Sequence, residues 1–401
     1  MNSWQEALFA RRNFGVKLDL EAVRAAYSAL GRPCSDTPAI HVLGTNGKGS
    51  TAAMCAHALG QRRRVGLYTS PHLHRVGERI RVDGEAVPDA TVQGLVDRVL
   101  AVAELPRPLT FFEILTLAAV LHFADRGVEV AVLEAGLGGR LDATRILRFR
   151  AALFAPIDLD HTAYLGPDVR AIAGEKAAVL ADGGTAYSAP QAPDAAAVLR
   201  DSAARWGVPL TFVEPLPRAP DGLVGKHQRV NAALALAGAQ HLDPSIVATD
   251  LDGVRWPGRL ELRALGGGTL LFDVAHNPHG IAALVAHLRA TPAPPRAVLF
   301  GCLADKDAAA MLAELATLGD PLWLVPPPGA AHELGGLAAR HGARSFPDVE
   351  DPRLRATLDA WLARGGEVVV CGSHHLVGHL RGALLAVEAD ARWLGDPLRR
   401  G

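Results

Sequence analysis

Short apolar runs alternate with longer segments of helical periodicity along most of this 401-residue chain, and this alternation restricts the fold more than any other feature. The first apolar run, Ile40–Leu43, leads through the glycine-rich stretch GTNGKGS into a helical segment, Ser50–Gly60. Val65–Tyr68 and Val128–Leu133 predict two further buried strands. Strands that alternate with helices in this way are typical of an α/β protein with a mostly parallel sheet.

The alternation is interrupted at Trp256-Pro257-Gly258, where a proline and a glycine together indicate a turn or linker. A chain of this length exceeds one ordinary hydrophobic core, so we predict two domains, 1–254 and 259–401, joined by residues 255–258. The second domain restarts the alternation with four predicted strands: Leu270–Val274, Ala297–Gly301, Leu322–Val325 and Val368–Cys371. Because it has no glycine loop of its own, we expect a smaller α/β domain that completes a site founded by the first.

Composition limits the partners that this chain can have. The formal net charge is −1 and 21% of the residues are charged, which argues against nucleic acid or an anionic membrane as a general partner. The N-terminal residues lack the apolar core of a secretory signal, and the longest apolar stretch, 114–124, is shorter than the roughly 20 residues of a membrane helix. The four cysteines lie far apart without a C-x-x-C pair, so we expect no disulfide framework or zinc site, and we predict a cytoplasmic protein.

The glycine-rich loop departs from the common phosphate-binding pattern G-x-x-x-x-G-K-[ST]. Gly47 and Lys48 fit that pattern, but Val42 stands at its first glycine and Gly49 at its hydroxyl position. Glycines let backbone N–H groups approach phosphate oxygens, and the following helix would present its positive N-terminal end. A plain turn between strand and helix is the alternative. The order of strand, loop and helix favours a phosphate site in which Lys48 reaches the terminal phosphates.

Charged side chains follow two of the apolar runs in the first half. Glu134 ends a predicted strand, and an acid at the carboxyl end of a parallel strand is well placed to bind magnesium beside a phosphate loop. Taken alone, Glu134 could equally be a solvated strand end. His161 follows Asp160 in DLDHTAYLGPD, and Lys176 follows Glu175 in an apolar helix, where a simple charge pair is the alternative.

Two junctions in the second half carry polar residues between a strand and a helix. FDVAHNPHG contains Asp273, His276 and Asn277, and CGSHHLVGHL contains Ser373. Asn277 and Ser373 can be explained as helix caps, with Pro278 as a first helical residue. Capping is the simpler interpretation of both junctions.

Nine motifs occur in a characteristic order: GTNGKGS, TSPHL (69–73), LEAGLGGRLDAT, LDHTAYLGPD, EKA, HQRVNA (227–232), WPGRLE (256–261), DVAHNPHG and DKD (305–307). Together they resemble dihydrofolate synthase/folylpolyglutamate synthase of the ATP-dependent Mur ligase superfamily. Each motif is weak alone, but nine in this order, from about residue 40 to the C-terminus, are highly specific. LTFFE and DHTAYLGPD look more like the bacterial enzymes that carry out both reactions.

The resemblance implies a fold, an activity and a set of ligands. It implies an N-terminal P-loop ATPase domain of Mur ligase type with a mostly parallel sheet, and a smaller Rossmann-like C-terminal domain. Such enzymes ligate L-glutamate to dihydropteroate and to the glutamate chain of reduced folates through an acyl phosphate, releasing ADP and phosphate. ATP, two Mg²⁺ ions and K⁺ are the candidate cofactors, and a monomer is expected.

The resemblance also assigns roles to individual residues. The phosphate-binding residues are Gly44, Thr45, Asn46, Gly47, Lys48, Gly49 and Ser50, and the adenosine-side residues are Asn231, Arg259 and Asp273. The magnesium ligands are Ser70, Glu134, His161 and Lys176, the last as a carbamate. The substrate contacts are Phe112, Glu113, His276 and Ser373, and the residues expected to act in catalysis are Lys48, Lys176 and His276.

Ser70 is predicted to supply the hydroxyl that the loop lacks. It follows Val65–Tyr68, a strand expected to end beside the loop at the carboxyl edge of the sheet, and Pro71 disfavours helix at Ser70. Ser50 lies one position beyond the usual hydroxyl, about 100° further round the helix. We therefore predict that Ser70 binds magnesium and that Ser50 binds phosphate.

Other functions fit parts of the sequence. A cell-wall Mur ligase would carry a UDP-binding domain before the loop, and only about 40 residues precede it here. An inactive nucleotide-binding regulator would be expected to lack Lys48, Glu134 or His161, and a simple phosphotransferase leaves the His276 junction unexplained. Folylpolyglutamate synthase activity alone stays open as an alternative. Arg145, which replaces the asparagine of the family's DATN, is given no role.

Overall fold

The computed structural model describes Trp4, Gln5, Leu8, Arg11 and residues 19–292, 294–329 and 331–387. These residues form two compact units. The first unit comprises the described residues up to His72, then Val76–Gly222 and Lys226–Val254. The second comprises Leu73–Arg75, Leu223–Gly225 and the described residues from Arg255 onward. The two tripeptides of the second unit are distant from it in sequence, and nothing in their composition indicates where they belong.

The first unit is built on an eight-stranded sheet. Its strands are β1 Ala39–Leu43, β2 Val65–Tyr68, β3 Ile80–Val82, β4 Glu85–Ala86, β5 Val130–Glu134, β6 Phe149–Phe154, β7 Thr185–Ser188 and β8 Leu210–Phe212. They lie in the order β4-β3-β2-β5-β1-β6-β7-β8, and only the β2–β3 and β3–β4 pairs are antiparallel. The predicted mostly parallel sheet is confirmed. The loop after β1 leaves the middle of the carboxyl edge, where α/β sheets bind ligands.

The helices of the first unit are α1 Glu21–Ala29, α2 Lys48–Gly60, α3 Asp89–Leu100, α4 Phe111–Asp125, α5 Thr162–Leu165, α6 Val169–Ala177, α7 Pro193–Trp206 and α8 Lys226–Leu242. Short 3₁₀ helices span Val76–Arg79, Ala143–Ile146, Ala178–Asp182 and Ala248–Leu251. α2 is buried on nearly all sides and packs closely on α8, because its alanines and glycines allow the two backbones to approach.

The second unit is a smaller α/β domain with a six-stranded sheet. Its strands are β9 Glu261–Leu265, β10 Gly268–Phe272, β11 Arg296–Phe300, β12 Leu322–Leu324, β13 Arg344–Ser345 and β14 Glu367–Cys371, and its helices are α9 Pro278–Ala290, α10 Ala308–Ala316, α11 Gly335–His341, α12 Pro352–Leu362 and α13 His374–Leu385. The strand order is β13-β12-β11-β14-β10-β9, and all pairs are parallel except β9–β10 at the edge. This arrangement confirms the predicted second α/β domain.

Most predicted elements are present with small shifts of their ends. Val65–Tyr68 has the predicted bounds, whereas the strand predicted at Val128–Leu133 begins at Val130. Val128 is buried and its N–H donates to the Phe123 carbonyl, so it belongs to the turn that ends α4. The sequence alone does not distinguish a buried valine in a turn from the first residue of a strand. None of the helices that the structure describes combines the length and apolarity needed to cross a lipid bilayer.

Candidate active site

The loop from Gly44 to Gly47 has a backbone that only glycine accommodates well. Gly44 and Gly47 have φ of 138° and 86°, in the region that disfavours other residues. A Cβ on Gly44 would lie 2.8 Å from Ala155. The Thr45 and Asn46 N–H groups both donate to the Pro156 carbonyl, at 2.8 and 3.2 Å. The loop is therefore anchored to the segment after β6.

α2 begins at Lys48 with an open N-terminus. Its N-cap is Gly47, which has no side chain that could accept a hydrogen bond from the first N–H groups of the helix. Gly49 and Ser50 lie buried in the first turn. Lys48 Nζ donates to the Thr45 carbonyl at 3.1 Å, which folds the lysine back over the loop.

α8 supports the loop from the side through two amides. A Cβ on Gly47 would lie only 2.3 Å from Asn231 Oδ1, so Gly47 and Asn231 are in close contact. Asn231 Nδ2 donates to Gln228 Oε1 at 3.0 Å, and Gln228 Nε2 lies 3.4 Å from Ser50 Oγ. Gln228 was not predicted as a site residue, although it lies in the motif HQRVNA. The Ser50 hydroxyl thus lies beside an amide.

Ser70 and Glu134 meet at the carboxyl edge of the sheet. The strand before Ser70 ends at the same carboxyl edge as the loop, and β5 lies between it and β1. Glu134, the last residue of β5, fills the position between them. Its Oε2 accepts the Ser70 N–H at 3.0 Å, and the Ser70–Pro71 peptide bond is cis. The two predicted magnesium ligands are therefore adjacent.

Lys176 lies buried in the last turn of α6, with 4% of its surface exposed. Burial and, to a smaller extent, the positive charge of Lys48 together lower the pKa of Lys176 to about 7, against the opposing effect of Asp160. Lys48, Lys176 and Asp160 therefore lie within electrostatic reach of one another. Glu175, the alternative partner of Lys176, forms its ion pair with Arg140 at 3.0 Å.

His161 occupies a left-handed turn with φ of 52° and is the N-cap position of α5. Its Nε2 lies 4.0 Å from Asp160 Oδ1. Within the described ranges, no group of three or more His, Cys, Asp and Glu side chains is arranged to hold a metal ion. Of the four predicted magnesium ligands, Glu134 and His161 are residues of these types. The other two are Ser70 and Lys176.

The predicted substrate contacts Phe112 and Glu113 open α4. Glu113 is buried and serves in a capping box with Thr110, and its carboxylate also pairs with Arg107 at 2.8 and 2.9 Å. Its structural role therefore occupies both oxygens. Phe112 reaches towards the carboxyl edge, because a Cβ on Gly136 would lie 2.5 Å from its ring. Arg107 was not found by sequence reasoning, and its surroundings carry no motif that would mark it.

The loop after β5 is held by a buried hydrogen-bonded chain. Asp142 accepts the Leu137 N–H at 2.8 Å and the Thr144 N–H at 3.0 Å, and Thr144 Oγ1 lies 2.8 Å from His41 Nε2. Burial lowers the pKa of His41 to about 3, so its ring stays neutral. Arg145 pairs with Asp182 at 2.6 Å, which gives this residue a structural role at the surface of the same loop.

In the second unit, Asp273 fixes the backbone around Arg259. Its carboxylate accepts the Leu260 N–H at 2.9 Å and the Ala275 N–H at 2.8 Å. Leu260 has φ of 46°, so this turn needs such support. Arg259 itself is half-buried.

The remaining predicted residues lie at two helix starts of the second unit. Asn277 Oδ1 caps α9 by accepting the Gly280 N–H at 2.8 Å, and buried Ser373 Oγ caps α13 by accepting the His375 N–H at 3.0 Å. The capping interpretation is confirmed at both junctions. The His276 ring lies 5.1 Å from the His374 ring.

Comparison with known families and proteins gives a consistent picture. The Mur ligase middle domain family matches residues 42–189, and the Mur ligase, glutamate ligase domain family matches residues 258–374. Folylpolyglutamate synthase of Lacticaseibacillus casei is 34% identical over 89% of this chain and 92% of its own length. Dihydrofolate synthase/folylpolyglutamate synthase of Escherichia coli K12 is 31% identical over 94% of each chain.

Solved structures agree with these matches. Mycobacterium tuberculosis folylpolyglutamate synthase complexed with ADP superimposes with a TM-score of 0.85 at 29% identity, over 96% of this chain and 98% of that one. E. coli FolC in complex with DHPP and ADP gives a TM-score of 0.84 at 30% identity, with the same coverage. A bifunctional folylpolyglutamate synthase/dihydrofolate synthase with Mn, AMPPNP and L-glutamate bound gives 0.83 at 32% identity, over 95% of this chain and 98% of that one. Nucleotide and divalent metal are thus bound by proteins of this fold.

Proposed function

The chain belongs to the folylpolyglutamate synthase/dihydrofolate synthase family of ATP-dependent Mur-type ligases, as its motifs predict. On that premise we propose that it ligates L-glutamate to dihydropteroate and to the glutamate chain of reduced folates. The observation that carries the proposal is the open N-terminus of α2 after a glycine loop at the centre of the carboxyl edge.

The reaction needs activation of a carboxylate, because an oxide is too poor a leaving group for direct attack by an amine. Transfer of the γ-phosphoryl group of ATP to the carboxylate gives an acyl phosphate. The amine of L-glutamate then attacks the acyl carbon, the C–O bond to phosphate breaks, and the amine loses a proton. The protein must hold anionic groups together and offset their charge.

The residues of the loop fit a nucleotide phosphate. Gly47 has no Cβ, which would lie 2.3 Å from Asn231 Oδ1, and as the N-cap it places no side chain over the first N–H groups of α2. Lys48, now bonded to the Thr45 carbonyl, would release that contact and turn its ammonium towards the terminal phosphates. Ser50 would donate its hydroxyl hydrogen to phosphate, since in its contact with Gln228 its Oγ is the acceptor.

Ser70, Glu134, His161 and carbamylated Lys176 are the proposed magnesium ligands. The contact between Glu134 and the Ser70 backbone supports two of them directly. Carboxylate, hydroxyl and carbamate oxygens are the ligand type that Mg²⁺ prefers. When bound, Mg²⁺ would supply positive charge to the transferring phosphoryl group.

Carbamylation of Lys176 is supported by its surroundings. The reaction consumes a neutral amine and CO₂ and releases a proton, and burial lowers the pKa of Lys176 to about 7, so much of the amine is neutral near that pH. The carbamate reverses the sign of the charge beside Lys48 and adds oxygen ligands. We expect Lys176→Ala to be inactive and to regain activity with short carboxylic acids, and an unmodified Lys176 in the active enzyme would contradict this role.

In the first unit, Asn231 is proposed to contact adenosine. In the second unit, Arg259 is proposed to contact adenosine and His276 the acceptor glutamate. Asp273 would act there by holding the Leu260 backbone next to Arg259. Glu113 and Ser373 would act through the helix starts that they cap, while Phe112 offers its ring to the substrate.

An assay of ADP release tests the proposal. We expect release with dihydropteroate and with tetrahydrofolate, each only in the presence of L-glutamate. Release with tetrahydrofolate and L-glutamate, but not with dihydropteroate and L-glutamate, would assign folylpolyglutamate synthase activity only. Vigorous ATP hydrolysis that neither acceptor nor glutamate changes would contradict a ligase.

A further inference from the structure

Arg79 is the largest side chain that is completely buried in the described part of the chain, with 1% of its surface exposed. It ends the 3₁₀ helix Val76–Arg79 and immediately precedes β3. No role assigned above involves it. A buried guanidinium is costly unless its N–H groups are paired, so its contacts require an explanation.

Two hydrogen bonds connect Arg79 to the turn that carries Ser70. The Arg79 carbonyl accepts the Thr69 N–H at 2.9 Å, on the side before Ser70. The Arg79 Nε donates to His72 Nδ1 at 2.9 Å, on the side after it. Ser70 is therefore held between two contacts to one residue, and its own N–H donates to Glu134.

The two terminal nitrogens of the Arg79 guanidinium do not explain why this side chain is buried. Its Nη1 and Nη2 are buried and have no hydrogen-bond partner among the residues that the structure describes. Its Cζ lies 5.1 Å from the centre of the Phe111 ring, which is also fully buried. A long apolar side chain would fill this space at lower cost, but it could not donate to His72.

We infer that Arg79 is a positioning residue for the magnesium site, which fixes the turn from Thr69 to His72 so that Ser70 stays beside Glu134. The inference rests on the proposed role of Ser70 as a magnesium ligand. The backbone contact to Thr69 sets the start of the turn, and the side-chain contact to His72 sets its end. Loss of the side-chain contact alone would leave Ser70 present but poorly placed.

Arg79→Met tests this, because methionine keeps an apolar stem beside Phe111 and leaves the backbone carbonyl in place. The first readout is Mn²⁺ affinity, measured by electron paramagnetic resonance with ADP present and no turnover. The second is the Mg²⁺ concentration for half-maximal activity, compared with the KM for L-glutamate. We expect the metal affinity to fall about tenfold, as for other supporting contacts of metal ligands, and the KM to change less than about twofold.

Arg81→Met is the matched control. Arg81 lies on β3, two residues further along, and its Nη1 donates to the Gly84 carbonyl at 3.0 Å in the hairpin beyond the strand. This variant removes a partly buried arginine two residues from Arg79, and we expect it to leave Mn²⁺ affinity unchanged. An equal loss in both variants would mean a general effect on β3 and would overturn the inference.

His72→Phe tests the same link without changing Arg79, and it applies even where Arg79→Met does not fold. Because both variants remove the same hydrogen bond, between Arg79 Nε and His72 Nδ1, we expect similar losses of Mn²⁺ affinity and no further loss in the double variant.

Ser70→Ala distinguishes the proposed role of Ser70 as a magnesium ligand from the positioning role of Arg79. If Ser70→Ala leaves Mn²⁺ affinity intact, the role of Ser70 fails. If Ser70→Ala weakens Mn²⁺ binding but folded Arg79→Met and His72→Phe do not, the positioning role of Arg79 is wrong.

Discussion

α2 in the first unit and α9 and α13 in the second unit each follow a buried strand and a short turn. Their N-termini differ. α2 starts after Gly47 with no side-chain cap. α9 and α13 start after Asn277 and Ser373, whose side chains accept helix N–H groups. The position of a helix at a sheet edge therefore does not make a phosphate site. What matters is whether the chain satisfies those N–H groups itself.

The two units also bury cations in different ways. In the second unit Arg381 is 7% exposed and pairs with Glu261, with Nε and Nη2 each 2.9 Å from a carboxylate oxygen. In the first unit the buried Lys176 lies near the positive charge of Lys48. A paired cation serves the fold, whereas a cation placed beside another one works against it. The first unit thus gives up stability where the proposed chemistry takes place.

The largest effects should come from removing these two buried basic side chains. We expect Lys176→Met to abolish ligation while raising the thermal unfolding midpoint of the metal-free protein by at least about 2 °C. Arg381→Met leaves Glu261 without its buried partner and should destabilise by about 3 kcal/mol. Differential scanning calorimetry measures both, and equal signs of the two shifts would break the comparison.

The pH dependence of stability sharpens the same point. The folded pKa of Lys176 is lowered to about 7 from an ordinary value of 10.5. Between these values the unfolded chain binds the proton that the folded chain has released, so this residue makes stability rise with pH from about 7 to about 10. Subtracting the curve of Lys176→Met from that of the wild type isolates this contribution. A flat difference across the window would show that Lys176 is not so perturbed.

Adding a side chain to the open terminus comes next. Gly47→Ala places a Cβ 2.3 Å from Asn231 Oδ1 at a φ of 86°, so we expect ADP affinity to fall by about 100-fold, from strain and a displaced amide together. Gly60→Ala, at the other end of α2, is the matched control because its Cβ would meet nothing within 4 Å. Isothermal titration with ADP compares the two. A Gly47→Ala protein that binds ADP normally would remove the loop from the phosphate site.

A smaller effect distinguishes the two serines near the loop. We expect Ser70→Ala to raise the Mg²⁺ concentration for half-maximal activity by about tenfold, because Ser70 lies beside Glu134. Ser50→Ala should mainly raise the KM for ATP, because its hydroxyl lies beside Gln228. Activity against Mg²⁺ at saturating ATP measures this. A shift in Ser50→Ala with none in Ser70→Ala would mean that the loop supplies its own hydroxyl to the metal.

The smallest effects concern the capped helices. Asn277→Ala and Ser373→Ala each remove a side-chain cap and should destabilise by about 1 kcal/mol, read from urea unfolding. ADP affinity should stay within about twofold for Ser373→Ala if this residue acts only as a cap. A large loss of ADP affinity with unchanged stability would make the second unit's helix starts more like α2 than the comparison allows.

Much of the first unit could be predicted from sequence because its signals are local. The glycines around Lys48 predict the backbone conformation of the loop that contains them, and the apolar run Val65–Tyr68 predicts its own strand. Glu134 was placed at a strand end because an apolar run stops there. These features need only neighbours along the chain.

The contacts that shape the site could not be predicted in the same way. The order of β2, β5 and β1 decides that Glu134 separates Ser70 from the loop, and strand order is set by packing of the whole unit. The approach of Asn231 to Gly47 depends on how α8 packs on α2. Arg79 carried no signal at all, because an arginine next to a glutamate in a sequence indicates an exposed pair rather than a buried clamp.

The central claim is that the open terminus of α2 serves a ligase that phosphorylates a carboxylate. Its most direct test uses dihydropteroate labelled with ¹⁸O in the carboxyl group, together with ATP and L-glutamate, and mass spectrometry of the released phosphate. Transfer through an acyl phosphate moves one labelled oxygen into phosphate for each amide bond formed, and this is the result we predict. Unlabelled phosphate released at the same rate as product would contradict the account.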